Sequence, residues 1–378
     1  MMTKIKSVLC GSHSRVAYIL LAIAAAILVF FAAQPVELEK KQTGATLFVA
    51  ETYQTKIQND LTKIVFGEEA AEQHIEYKIS DTAVAAPMPD PTCYGEADSP
   101  AELQWLLDAA APLLEGQELY FSTDTEIFAG SKIHYYMDDT ILAITWKEVY
   151  ERSVFTFSEV KLMHPSQFRR YLAGNEYGSG KLFTTTQMSE SVNAVVACNG
   201  DYYDYRRRGV TVTNGVVHKA TGGALDLCFI NKDGDMILEQ GKKFETVEEA
   251  QAYMDEHDVN FSLAFGPALV KDGEFVCPGS YDLGEVKKDF PRAAICQMGK
   301  LHYLFGVSNM EAPYYSTFNI KRFGEYIHQT GCIHAYALDG GQTATVAMNN
   351  QLINRVNYGS ERLISDIIYF ATAKPAEE

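Results

Sequence analysis

An uninterrupted apolar segment near the N-terminus is the strongest constraint on how this chain folds. Residues 16–33 contain no charged side chain, and Lys4, Lys6 and Arg15 precede them. At helical rise such a segment nearly spans the hydrocarbon core of a bilayer, and cations before it hold the N-terminus on the inner side. The sequence predicts a cytoplasmic N-terminus over 1–15, a transmembrane signal anchor over 16–33 and an extracytoplasmic remainder.

This prediction describes a single-pass protein of the cell membrane, attached through its N-terminal helix. A cleaved signal peptide is the alternative, because Ala33 also suits the small-residue end of a weak cleavage site. Signal-peptide segments are usually shorter, which favours the uncleaved anchor. In both cases the bulk of the chain is exported.

Charge and composition exclude two classes of protein. The 378 residues include 49 Asp and Glu against 32 Lys and Arg, which gives a net charge of −17, and 47% of them are hydrophobic. Binding to a phosphate backbone requires a surplus of cations, and a disordered chain has too few apolar residues to offset its entropy. We therefore expect a folded acidic protein without a nucleic-acid partner.

Cysteine and histidine spacing gives no sign of a metal site. Six of the seven cysteines follow the apolar segment, and those within residues 195–198 and 294–296 lie in apolar runs typical of buried free thiols. An even number of exported cysteines also permits disulfides. The sequence contains neither a Cys-x-x-Cys pair nor the motifs of zinc proteases, phosphate loops or dinucleotide-binding folds. We expect mostly free cysteines, no metal and no cofactor.

The segment after the anchor has the composition of a linker. Residues 34–98 are polar and mixed, and they end in a Pro-rich run at 85–91, which predicts a stalk or linker. Ser99 and Glu102 then form a capping box that opens a helix ending at Leu114. The helix belongs to a predicted helical connector over residues 99–130.

Residues 131–374 alternate short β-type runs with a few helices. Thr246 opens one predicted helix, and a second extends from about Thr317 to Thr330. Turn sequences at residues 231–234 and 271–273 predict β-hairpins. The predicted fold class is α+β, with a mixed-sheet domain over 131–374 preceded by the transmembrane helix and the stalk.

Two segments place polar residues directly at the end of an apolar strand. These are residues 193–204 and 335–345, and both contain glycine next to Asn or Asp. Glycine lets the backbone turn sharply or approach a ligand closely, and a rigid strand end is a good mount for catalytic groups. A structural Asx turn is the alternative at each position.

These segments resemble the phosphodiester glycosidase domain of the N-acetylglucosamine-1-phosphodiester α-N-acetylglucosaminidase group, which also occurs in bacterial proteins of exopolysaccharide biosynthesis. The family motif A-x-N-G-G-F/Y-F-D is similar to residues 197–204, A-C-N-G-D-Y-Y-D. The family motif L-D-G-G-G-S-x-T is similar to residues 338–345, L-D-G-G-Q-T-A-T. Asp201 and Gln342 stand where the family has Gly, and Thr343 replaces Ser.

Four further elements follow in the order of the family. They resemble G-x-x-x-x-N/D-G, G-P-x-L-V-x-D-G, P-R-T-A and E-R-x-V-S, and they lie at residues 209–215, 266–273, 291–294 and 361–365. The whole ordered set spans about residues 130–374, and it is more specific than any one of its elements.

The resemblance implies hydrolysis of an α-linked sugar 1-phosphodiester at the anomeric carbon, which releases a free sugar and a phosphate monoester. By the same resemblance, Asp339 is the expected catalytic carboxylate, Asp204 a second one, and Arg292 a bidentate phosphate ligand. The expected substrate-binding residues are Asn199, Gly200, Gly340, Gly341, Thr343 and Arg362. The backbone N–H groups of Gly340 and Gly341 are expected to form an anion-binding concavity.

The sequence thus predicts an extracytoplasmic hydrolase of sugar-phosphate diesters in cell-surface glycan or exopolysaccharide metabolism. The alternative is a non-catalytic glycan-binding or assembly factor for exopolysaccharide that uses the same pocket. Asp201 and Gln342 favour the alternative, because they add bulk and polarity beside the expected site. The basic run at residues 206–208 is either a solvated loop or an attraction for a polyanionic glycan.

Overall fold

The computed structural model describes residues 36–43, 46–51, 75–206, 208–221, 223, 225–281 and 286–374. The chain divides into a small unit, Met1–Lys41 with Phe48–Lys78, and a large unit, Ile79–Glu378 with Gln42–Leu47. The predicted anchor over residues 16–33 lies outside the described residues. Within the described part of the chain, no helix has the length and apolarity that a bilayer crossing requires.

Strands make up most of the regular structure. In chain order they are β1 (Val36–Thr43), β2 (Thr46–Glu51), β3 (Ile75–Glu76), β4 (Tyr94–Ala97), β5 (Ile133–Met137), β6 (Ile141–Tyr150), β7 (Ser153–Leu162), β8 (Phe168–Leu172), β9 (Val196–Asn199), β10 (Gly209–Thr213), β11 (Val216–Thr221), β12 (Leu225–Asn231), β13 (Met236–Lys242), β14 (Val259–Leu263), β15 (Ala268–Lys271), β16 (Glu274–Phe275), β17 (Arg292–Gly299), β18 (His302–Asn309), β19 (His334–Leu338), β20 (Val346–Met348), β21 (Gln351–Leu352) and β22 (Asp366–Phe370). The α-helices of the described residues are α1 (Gln104–Leu114), α2 (Thr185–Ser191), α3 (Val247–Glu256) and α4 (Ile320–Gln329). The predicted α+β class therefore holds in outline, with strands far more abundant than helices.

A nine-stranded sheet forms the centre of the large unit, in the order β16-β15-β19-β17-β18-β7-β6-β5-β4. Each neighbouring pair in it is antiparallel. Because side chains alternate along a strand, β17 directs Ala293 and Ile295 to one face and Ala294 and Cys296 to the other. Both faces of the sheet are therefore buried.

Each face of this sheet is covered by a different layer. The five-stranded antiparallel sheet β21-β20-β9-β22-β8 packs on one face, where the rings of Phe305 and Phe370 lie 5.0 Å apart. Helices α1 and α4 cover the other face, and Phe323 of α4 stacks on Phe155 with ring centroids 5.9 Å apart. The result is a β-sandwich with helices on one outer face.

Two smaller sheets complete the described strands of the large unit. The order of one is β13-β12-β14, and β10 pairs with β11 in the other. Both share a core with α3, in which Phe229, Phe244 and Tyr253 are in mutual ring contact. A separate three-stranded sheet has the order β2-β1-β3, with β1 and β3 parallel.

The segment predicted as a stalk is in part a component of the sandwich. From Ile79 onward the chain belongs to the large unit, and β4 pairs with β5 at the edge of the nine-stranded sheet. In the Pro-rich run, the amide of Ala86 donates to the carbonyl of Val192 at 3.0 Å, and Asn193 donates to the carbonyl of Ala86 at 2.8 Å. Proline resists regular structure, but an extended Pro-rich backbone can still be buried. The connector over 99–130 is likewise integrated, because α1 buries Leu106.

All three predicted helices occur, and two of them, α1 and α4, start later than predicted. The helix ending at Leu114 begins at Gln104, because a 3₁₀ turn precedes it and Ser99 donates to the Glu102 carboxylate instead of capping the backbone. Helix α3 begins directly after Thr246, whose hydroxyl accepts a hydrogen bond from the amide of Glu249. The two predicted hairpins are present as β12–β13 and β15–β16.

Candidate functional site

A cleft of about 410 Å³ opens beyond the ends of β9 and β19. Five of the six sequence elements that carry the family resemblance contribute residues to its wall. In chain order these residues are Tyr202, Gly266 with Pro267, Arg292, residues 339–342 and Arg362. The sixth element, residues 209–215, forms the β10–β11 hairpin and lines other cavities through Thr213 and Asn214. Segments far apart in the chain therefore converge on one site.

The charge of the cleft is opposite to that of the whole chain. Three arginines line it, Arg206, Arg292 and Arg362, whereas Asp339 is the one carboxylate among the described lining residues. In a chain with a net charge of −17, this local excess of cations indicates a site for an anionic ligand.

Asp339 follows β19 and is fixed through both its backbone and its side chain. Its amide donates to the carbonyl of Gly200 at 3.2 Å, and the amide of Gly340 donates to its Oδ1 at 2.9 Å. Burial raises the pKa of Asp339 above its ordinary value, while the Thr343 hydroxyl and the charge of Arg206 lower it. A carboxylate held in a cleft with a perturbed pKa is a candidate catalytic group.

Asn199 and Gly200 lie behind Asp339 and do not line the cleft. The side-chain amide of Asn199 donates to the carbonyl of Asp339 at 2.8 Å and accepts from the amide of Thr345 at 3.2 Å. A Cβ on Gly200 would lie 1.9 Å from the carboxylate of Asp366. These two residues, expected to bind substrate, join the end of β9 to the loop after β19 and so position Asp339.

The two glycines after Asp339 line the cleft, but their N–H groups are used within the protein. The amide of Gly340 donates to Asp339, and the amide of Gly341 donates to the carbonyl of Pro291 at 2.8 Å. A Cβ on Gly340 would lie 2.7 Å from the same carbonyl. Gly340 therefore allows close packing against Pro291, and the two N–H groups do not form the expected anion-binding concavity. Thr343 is buried, and its hydroxyl donates to the carbonyl of Gly340 at 2.7 Å.

Arg292 is at the start of β17, where backbone carbonyls anchor its guanidinium group. Its Nε donates to the carbonyl of Phe318 at 3.2 Å, and its Nη2 donates to the carbonyl of Lys288 at 2.7 Å. The side chain lines the cleft. The anchoring fixes the position of the cation and engages at least two of its nitrogens.

Arg206 has a more specific position than the basic run at 206–208 suggested. Its guanidinium carbon lies 3.9 Å from the ring centroid of Phe265, and its Nη1 is buried without a hydrogen-bond partner among the described residues. Burial lowers the pKa of Arg206, and the charges of Asp201 and Asp339 oppose that shift. A partly buried guanidinium that lines a cleft with unused donors is suited to an anionic ligand. The sequence signal was present, but it did not distinguish one arginine from its neighbours.

Asp204, expected as a second catalytic carboxylate, is not at the cleft. It is exposed in the turn that follows Tyr203, and it does not contribute to the wall of the cleft. The chain turns away after Tyr202, which has a left-handed backbone with φ of 68° and itself lines the cleft. The structure therefore brings Asp339, Arg292 and Arg362 together and leaves Asp204 outside.

Asp201 departs from the family motif but lies inside the protein. Its carboxylate contacts Arg170 of β8 at 2.7 Å, and Arg170 also contacts Asp366 at 2.8 Å. The amide of Ala264 donates to the second oxygen of Asp201 at 2.8 Å. All three charged side chains are essentially inaccessible to solvent. The departure is part of a buried ion cluster and does not add bulk to the cleft.

Gln342 and Arg362 form the outer rim. The side-chain amide of Gln342 donates to the carbonyl of Ser360 at 3.0 Å, which ties the loop after β19 to the turn before β22. Arg362 is exposed, and its Nη2 donates to the hydroxyl of Tyr202 at 3.3 Å. No group of three or more His, Cys, Asp or Glu side chains suited to a metal occurs within the described residues. The six cysteines of the described residues are free thiols.

The fold and the cleft define a β-sandwich domain with a cleft rich in arginine. Residues 192–371 match the family model described as phosphodiester glycosidase. The resemblance to this family inferred from the sequence motifs is thereby confirmed over residues 192–371.

A solved structure of a zebrafish enzyme supports the fold. A structure of the zebrafish N-acetylglucosamine-1-phosphodiester alpha-N-acetylglucosaminidase catalytic domain, auto-inhibited by its pro-peptide, is similar at a TM-score of 0.51 and 16% identity. The similarity covers 69% of this chain and 92% of the zebrafish chain. A hypothetical protein from Synechocystis matches at a TM-score of 0.45 and 11% identity, over 66% of this chain and 64% of its own. No curated protein matches the chain.

Proposed function

We propose that this protein is an extracytoplasmic hydrolase that cleaves the glycosidic bond of α-linked sugar 1-phosphodiesters of the N-acetylglucosamine type. The observation that carries the proposal is the convergence of three arginines and Asp339 in one cleft built by the family elements. The name of the similar zebrafish enzyme specifies an N-acetylglucosamine 1-phosphodiester as its substrate. The proposed setting is cell-surface glycan or exopolysaccharide metabolism.

The charges in the cleft suit both the phosphate group and the anomeric carbon of such a substrate. A phosphodiester carries one negative charge, and guanidinium groups match the geometry of phosphate oxygens. The departing group is a phosphate monoester, which is already acidic and does not need a strong general acid. The chemistry then requires a carboxylate near the anomeric carbon, where positive charge develops in the transition state.

In the proposed reaction, the bond between the anomeric carbon and the phosphate oxygen breaks, and its electron pair leaves with the phosphate monoester. The oxygen of a water molecule forms the new bond to the anomeric carbon, and its proton passes to solvent through Asp339. Arg206 and Arg292 stabilise the negative charge that grows on the departing phosphate. Arg362, at the exposed rim, contributes to capture of the substrate.

The proposed location is the outer face of the cell membrane. Support comes from the charge asymmetry around residues 16–33, which indicates that the following chain is exported. A membrane-attached hydrolase at this face would meet glycans and glycolipid intermediates of the envelope.

The test uses the full chain in detergent with the methyl phosphodiester of α-N-acetylglucosamine 1-phosphate, in water enriched in ¹⁸O. Mass spectrometry of the two products shows where the label enters. Label in the released sugar supports cleavage of the bond between carbon and oxygen, as expected for a glycosidase. Label in the phosphate would refute the proposal, because it requires attack at phosphorus. A parallel reaction with EDTA should proceed at the same rate.

Three variants locate the site. Asp339→Asn and Arg292→Ala should lose release of sugar, whereas Asp204→Asn should retain it, because Asp204 is an exposed carboxylate outside the cleft. If folded wild-type protein releases no sugar, and wild type and Asp339→Asn bind the glycan equally, the non-catalytic binding or assembly function replaces the hydrolase.

A further inference from the structure

A second cavity of about 320 Å³ adjoins the cleft. Asn357 and Tyr358 line both cavities, so the two adjoin at the turn that carries these residues. The remaining lining residues of the second cavity are Met310, Tyr315, Arg355 and Val356. The reaction proposed above does not use this space.

The side chains of the second cavity suit a sugar with an attached phosphate. Tyr358 is 90% exposed and Tyr315 is 54% exposed, and a tyrosine ring offers an apolar face for the apolar face of a pyranose. Arg355 is exposed and takes part in no ion pair among the described residues. The described lining residues include no carboxylate, although the chain has 49 Asp and Glu. The cavity therefore presents aromatic, amide and cationic groups without a competing anion.

The backbone of the connecting turn holds Tyr358 outward at a conformational cost. Tyr358 has φ of 64° and ψ of 7°, in the left-handed region that residues with a Cβ adopt at a cost of about 1 kcal/mol. The side chain of Gln342 fastens this turn through the carbonyl of Ser360 to the loop that bears Asp339. A strained, exposed aromatic residue tied to the catalytic loop is typical of a ligand contact.

We propose that the second cavity is a subsite for the next sugar-phosphate unit of the substrate, so that the substrate is an oligomer or polymer of sugar 1-phosphodiesters. This inference rests on the proposed hydrolase function and specifies its substrate class. A repeating anion needs a cation for each unit, and the arrangement supplies three arginines in the cleft and one in the second cavity. A small glycolipid with a single phosphate would leave Arg355 and Tyr315 without a role.

The experiment compares two synthetic probes, the methyl phosphodiester of α-N-acetylglucosamine 1-phosphate and a phosphodiester-linked trimer of the same unit. Wild type should have a higher kcat/KM on the trimer than on the monomer. Arg355→Ala should lower the ratio of the two kcat/KM values about tenfold, the effect of losing one charge-assisted hydrogen bond. Tyr358→Ala should lower the affinity for the trimer, whereas Tyr358→Phe should keep the wild-type affinity because the aromatic ring is retained. Lys243→Ala, which removes an exposed cation outside both cavities, should leave the ratio unchanged.

Direct binding of the trimer to Asp339→Asn separates failure of the subsite from failure of the hydrolase. Equal kcat/KM for both probes, with no effect of Arg355→Ala on the ratio or on trimer affinity, would overturn the subsite while the hydrolase stands. Trimer binding that depends on Arg355, in a wild type that turns over neither probe, would support the subsite and overturn the hydrolase.

Discussion

Replacing Asp201 by Gly restores the family motif and should strongly destabilise this protein. The carboxylate of Asp201 lies 2.7 Å from Nη2 of Arg170, and the two side chains are 0% and 1% exposed. Asp366 lies 2.8 Å from the same nitrogen. The second oxygen of Asp201 accepts the amide of Ala264. The variant would leave a buried arginine with one carboxylate and a buried amide without an acceptor.

The magnitude follows from these contacts. Breaking a buried ion pair by removing one partner costs about 3–5 kcal/mol, and the remaining contact with Asp366 places this case near the lower limit. An unsatisfied buried amide adds about 1–3 kcal/mol, part of which the first figure already includes. We expect the free energy of unfolding to fall by about 4 kcal/mol, which a domain of ordinary stability survives at 25 °C.

Urea denaturation followed by circular dichroism measures this loss, with Asp201→Asn as the matched variant that keeps the shape and an acceptor. Double-mutant comparison with Arg170→Met isolates the pair, because Asp201→Gly should cost much less when Arg170 is absent. The loss should be similar at low and high salt, since a buried pair is weakly screened. A loss below about 1 kcal/mol would refute the reasoning. Remaining folded protein should keep kcat/KM within about threefold, because Asp201 lies outside the cleft.

The other predictions concern the cleft and its support. Asp339→Asn should lower kcat by about 10²–10⁴. It should also raise the free energy of unfolding at neutral pH, because burial raises the pKa of Asp339 and disfavours its ionised form in the folded state. This gain should shrink as pH falls toward the ordinary carboxyl pKa, because Asp339 of the folded wild type then becomes protonated and loses its unfavourable buried charge. Urea denaturation at several pH values that shows a pH-independent gain would contradict this. Arg206→Met should lower kcat/KM about 10- to 100-fold. Arg206→Lys should recover only part of the lost kcat/KM, because lysine lacks the planar guanidinium fork. Steady-state kinetics that neither variant changes would exclude contact between Arg206 and the substrate. Gly200→Ala should lower the free energy of unfolding by at least about 1–3 kcal/mol, because its Cβ would meet Asp366, whereas Gly279→Ala, with open space around it, should have little effect on the melting temperature.

Local chemistry made part of this structure predictable. The turn at residues 231–234 connects β12 and β13, and Thr246 caps α3, because turns and caps depend on a few neighbouring residues. The strand ends near residues 199 and 339 were also identifiable, since an apolar run meeting Asn, Asp and Gly leaves a distinct pattern. Asp339, which this pattern predicted as a site residue, lies in the cleft.

Tertiary partners decided what the pattern left open. Asp201 and Asp204 are three positions apart in one polar run, yet one is buried against Arg170 and the other is exposed. The choice depends on β8, which lies about thirty residues earlier in the chain. The same holds for Arg206, whose packing on Phe265 distinguishes it from the exposed Arg208. Neither contact has a local signature.

The strand order of the five-stranded sheet determines when the cleft can form. Strand β9, which leads into the first motif, lies between β20 and β22, and both of these neighbours come much later in the chain. Until they emerge, β9 has two unpaired edges, and such long-range pairing is slow to form. The side chain of Asn199 likewise cannot form its hydrogen bonds with Asp339 and Thr345 until those residues have been synthesised. A growing chain therefore lacks the complete sheet until β22 has been made, and a truncation before β20 removes three of the five strands of the sheet that supports the site.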